Sequence, residues 1–97
     1  MDEELKRRLH EYRRRDRRNA FFAERLLDLT ERIERDFEGE ERERLLAKAR
    51  DAFDRHLQLR DQTHSVRDVL ARLREDQKRL LELFELITPR PDGEFFH

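Results

Sequence analysis

Imidazoles and carboxylates are where this sequence could do chemistry, because together they bind metal ions and move protons. The four histidines form no His-x-x-x-His pair, and no two Glu-x-x-His motifs occur as a di-iron bundle requires. The nearest approach to a ligand set is Asp61, His64 and Asp68, on one helical face, with His10 a candidate fourth member. Arg14, Arg17 and Arg67 crowd that set and would repel a cation, so ordinary salt bridging is the expectation. Glu31, Glu34, Glu38 and Glu41 recur at helical spacing, but basic residues interrupt them and no second acidic motif follows. There is no glycine-rich phosphate loop, no serine with a plausible base, and no cysteine. The reading is a protein that is not an enzyme and carries no metal or other cofactor.

The arginines offer a different chemistry. Residues 6–18 hold eight basic groups and two acids, whereas residues 28–43 hold eight acids and three bases. The formal net charge of −1 therefore hides a dipolar chain. Arg7, Arg8, Arg13, Arg14, Arg15, Arg17 and Arg18 could face an anion such as a nucleic-acid backbone. Tyr12 is the only aromatic within that block and belongs to an apolar seam, so no base-stacking platform is evident. Antiparallel packing of basic on acidic would consume the charge. A solvated or self-paired face is the expectation, with a nucleic-acid-associated protein as the alternative.

The elements that carry these groups follow from composition and periodicity. Charged residues make up 48% and apolar residues 35%, which suits a thin seam between helices better than a thick core. Two glycines, two prolines and few β-branched residues argue against sheet, so the fold class is all-α. Apolar positions step by four and three from Leu5 through Leu9, Tyr12, Asp16, Asn19, Ala23, Leu26, Thr30 and Ile33 to Phe37. Gly39 suits a turn, since glycine takes positive φ without steric cost. The same alternation then runs from Leu45 through His56, Thr63, Val66, Leu70, Leu73, Gln77, Leu80 and Phe84 to Ile87. Unbroken register predicts helices over about 2–38 and 40–87. Thr63, His64 and Ser65 are weak helix formers, and Ser65 with Asp68 resembles a capping box, so a break at 61–65 would give three helices instead.

A hairpin turning at Gly39 pairs residues whose numbers sum to 78, setting Leu5 against Leu73, Tyr12 against Val66, and Leu26 against Ala52. Asp16, Asn19 and Thr63 would then form a polar layer in the seam, with His56 a further polar seam residue. Residues 78–87 project beyond the partner helix. This exposes Leu80, Leu81, Leu83, Phe84, Leu86 and Ile87, at ~1.5–3 kcal/mol forgone per unburied side chain. The expectation is a long antiparallel, coiled-coil-like hairpin over 1–87 that dimerises into a four-helix bundle, with a three-helix bundle as the alternative. The tail, 88–97, folds back on those leucines or meets another protein. No secretory signal or membrane-spanning stretch is apparent, so a cytoplasmic location without a membrane partner is expected. The function read from all this is a non-catalytic interaction or scaffold module that self-associates.

Overall fold

The computed structural model describes residues 2–88, and they form an all-α fold: α1 (Glu3–Arg15), α2 (Ala20–Asp36), α3 (Gly39–Asp61) and α4 (Val66–Ile87). A 3₁₀ turn over Arg17–Asn19 joins the first two. The expected first helix over 2–38 is therefore two helices. Asp16 leaves helical geometry at φ −119° and ψ 87°, its carbonyl accepts the Asn19 N–H at 3.1 Å, and its carboxylate accepts from Asn19 Nδ2 at 2.8 Å. Short polar side chains that bond locally compete with helix propagation, and here the competition wins.

The favoured continuous helix over 40–87 is also corrected. α3 ends at Asp61, and Ser65 starts α4, its Oγ accepting the Asp68 N–H at 3.2 Å. Asp68 reciprocates by accepting the His64 N–H at 3.0 Å, one residue before the N-cap N–H that a capping box engages. Of the two turns that the sequence made plausible, Phe37–Gly39 is built with Gly39 at φ +60°.

The helices alternate in direction. α2 packs against α1, α3 and α4, and α4 also packs against α3. α1 lies antiparallel to α2, where Lys6 Nζ donates to Glu34 at 2.8 Å, and its Tyr12 ring meets Phe53 and His56 of α3. Tyr12 thus does not face Val66 as the hairpin register required. Leu5, Leu9, Leu26, Ile33, Leu46 and Phe53 are fully enclosed and form the centre of the core. Folding α4 back also buries Leu83 and Ile87 within the same chain, at ~1.5–3 kcal/mol per large side chain.

Candidate functional site

A chain of hydrogen bonds crosses the core and joins three helices. The Tyr12 hydroxyl lies 2.7 Å from His56 Nε2, and His56 Nδ1 lies 2.8 Å from Asp76 Oδ1. A carboxylate only accepts, so Nδ1 carries the proton, and Nε2 then accepts from the Tyr12 O–H. Phe22 stacks on the imidazole at 4.0 Å and 8° between planes. Burial pushes the Tyr12 phenol up to about 12, so it is no nucleophile near neutral pH. His56 is fully enclosed and both its ring nitrogens are satisfied, leaving no face for a substrate. The arrangement resembles a relay, yet it is a clamp holding α1, α3 and α4 together.

His56 was expected as a polar seam residue, but its partners were not foreseen. Asp76 was missed altogether. The available signal was its heptad row, since Val69, Asp76 and Leu83 stand seven apart and Leu83 is buried. Of the expected layer of Asp16, Asn19, Thr63 and His56, the first three border one open basin while His56 lies apart in the core. Asp16 and Asn19 belong to the α1–α2 turn, and Thr63 Oγ1 donates back to the Leu59 carbonyl at 2.7 Å. Arg60 approaches Asp16 at 3.6 Å. Burial works against the Asp16 charge, but hydrogen bonds from the Asn19 side chain and backbone outweigh it and hold the carboxyl below its ordinary range.

The seven-arginine face is divided by the break at Asp16. Arg7 is bound to Glu4 and Glu11, Arg8 reaches Asp54 and covers the Phe53 ring, and Arg13 sits 3.8 Å from Glu24. Among the described residues, Arg14, Arg15, Arg17 and Arg18 have no carboxylate within 4.0 Å. The acidic segment is too far away to neutralise them. It meets α1 at that helix's own acidic start, where Lys6 and Glu34 pair. Burial alone would raise the Glu34 carboxyl, but the bonds from Lys6 and the Asp2 amide win and lower it. Arg15, Arg17 and Arg18 instead border an open basin of about 720 Å³ between the α1–α2 and α3–α4 turns, where Arg60 and Arg72 join them.

A second open groove, of about 740 Å³, lies between α2 and α4. Phe21, Leu29, Leu80, Leu81 and Phe84 form its floor and walls, and Arg25, Arg32, Arg74 and Lys78 rim it. Arg25 lies over the Phe21 ring and Arg32 over Phe84. Of the six expected interface residues, Leu83 and Ile87 are buried in the core and Leu80 is half-buried, while Leu81, Phe84 and Leu86 are exposed. Leu86 borders a separate cleft on the α3 side.

Asp68 is engaged in the α4 cap and α1 packs against α2, so His10 is not brought to Asp61, His64 and Asp68. Among the described residues no three His, Cys, Asp or Glu side chains gather as metal ligands would. No helix among them is long and apolar enough to cross a membrane. The expected role of the tail falls on residues 89–97, outside those described. No protein-family model, curated protein or solved structure matches this chain.

Proposed function

We propose that this chain is a non-catalytic helical interaction module that pairs with a second copy of itself through the outer face of α4. One observation carries this reading. The apolar repeat of α4 is wider than the stripe its own chain covers. Val66, Leu70, Leu73, Leu81 and Phe84 remain 77%, 52%, 47%, 56% and 41% exposed. With Gln77 they make a row spaced by three and four along about 27 Å of helix. Such a row serves no purpose in water and matches the seam of a helix pair.

A second copy of α4 is the occupant that this row fits. Leu70 and Phe84 are equidistant in sequence from Gln77, as are Leu73 and Leu81. An antiparallel pair with its twofold axis at Gln77 therefore matches Leu70 with Phe84 and Leu73 with Leu81, with Val66 opposite Thr88 at the ends and the two glutamines facing each other. A self-complementary patch of this kind is what a twofold dimer requires. Phe21 and Leu29 widen the contact from α2.

Light scattering at micromolar concentration is expected to give twice the 12.1 kDa chain mass. Leu73→Glu with Leu81→Glu should return the monomer, whereas Leu86→Glu, off the row, should leave the dimer intact. The chain has no cysteine, so Gln77→Cys should oxidise to a covalent dimer. A monomer at every concentration would refute the proposal.

A further inference from the structure

The basin between the two turns touches the α4 row only at Leu73, and the rest of its lining is of a different chemistry. Arg15 ends α1, Arg17 and Arg18 form the 3₁₀ turn, Arg60 lies in the last turn of α3, and Arg72 comes from α4. Five arginines from four elements therefore line one concavity of about 720 Å³. Asp16 is the one carboxylate lining it, and it is already engaged by Asn19 and Arg60. Arg60 also holds Asp61 at 3.1 Å, which leaves Arg15, Arg17, Arg18 and Arg72 as the lining cations without an acidic partner among the described residues.

Two further features suit this lining to an anion. Arg15, Arg17, Arg18 and Arg72 have no carboxylate within 4.0 Å among the described residues; Arg44 and Arg55 share that condition on open surface, so what distinguishes the four is that they gather on one concavity. Arg72 Nε is also buried without a hydrogen-bond partner. Arg42 and Arg79 share that condition, but neither borders the basin. Guanidinium groups bind phosphate through two parallel N–H donors, and a ring of them favours several phosphates held close together over a single one. The lining contains no aromatic residue, so nothing there would stack a base.

We infer that this basin binds a compact oligophosphate, a ligand with two or three adjacent phosphate groups recognised through those groups alone. Sequence spacing could not have located the whole site: the hairpin register sets Arg60 opposite Arg18, but Arg72 reaches the basin only after the chain has broken at both turns. The seven-arginine face read from the sequence contributes three of its five cations.

Calorimetric titration with sodium tripolyphosphate at low salt is expected to show saturable binding of one ligand per chain that weakens as salt rises. Orthophosphate should bind at least about tenfold more weakly, because it engages fewer guanidinium groups. Arg17→Ala with Arg18→Ala changes only exposed turn residues and should cost about tenfold or more in affinity. Arg72→Gln should weaken binding as well. Arg44→Ala with Arg55→Ala, on exposed positions of α3 away from the basin, removes the same charge and should leave binding unchanged. Helical circular dichroism of each variant checks that it is folded. Absence of saturable binding, equal weakening in the Arg44/Arg55 pair, or tighter binding of single-stranded DNA than of tripolyphosphate would overturn the assignment. The last of these results would favour a nucleic-acid backbone.

Discussion

Removing the Asp76 carboxylate should weaken the fold more than any surface change of equal size. Asp76 is 5% exposed and His56 is fully enclosed, so their 2.8 Å bond has no solvent to replace it. Asp76→Ala leaves a buried imidazole N–H without an acceptor, a loss of ~1–3 kcal/mol. About 2–3 kcal/mol is therefore expected, a large share of the ~5–15 kcal/mol typical of a domain. At this size, each kcal/mol lowers the melting temperature by about 4–8 °C. Asp76→Asn keeps an oxygen in place as acceptor and should cost only about 1 kcal/mol. Urea unfolding at fixed protein concentration measures all of these, since the proposed self-association would make stability concentration-dependent. The decisive comparison is His56→Leu with Asp76→Leu. Changing both partners should cost less than the sum of the single changes by ~0.5–3 kcal/mol, because no orphaned N–H remains. Tyr12 then loses its acceptor, and adding Tyr12→Phe should recover part of the residual loss. Strict additivity of the His56 and Asp76 changes would refute the clamp.

Tyr12 is the only tyrosine, so the ultraviolet phenolate band reports it alone. Its folded pKa is raised from 10.0 to about 12, so its contribution to stability is complete below about pH 10 and is lost as pH rises toward 12. Ionisation at pH 10 in the folded protein would contradict the buried placement. Ser65→Ala should destabilise by ~0.5–2 kcal/mol in urea unfolding because it removes the α4 cap, whereas a continuous helix would gain slightly from alanine.

Helix content was legible because apolar spacing reports it locally, residue by residue. The breaks were not, and each failed for its own reason. Asp16 and Asn19 were read as polar members of a seam, a role that requires the helix to continue. Their actual role, bonding to each other across a turn, requires it to stop, and spacing cannot choose between them. The second break misled more deeply. Register held from Leu45 to Ile87, and continuity seemed the only reason to hold it. The structure supplies another reason. α3 buries the first part of the repeat against its own chain, at Leu45, Ala49, Ala52 and His56, while α4 turns the row from Val66 to Phe84 largely outward. On the proposed pairing, a helix that buries one stripe within its chain and offers another outside needs apolar residues on both. A single periodic pattern records both demands without saying which is met internally. The same reasoning explains Asp76. It occupies the inward stripe, where a charge is costly unless paired, and its partner His56 lies on another helix. Seam arithmetic tuned to apolar residues passes over such a carboxylate, although a buried histidine on the facing helix creates the demand for one.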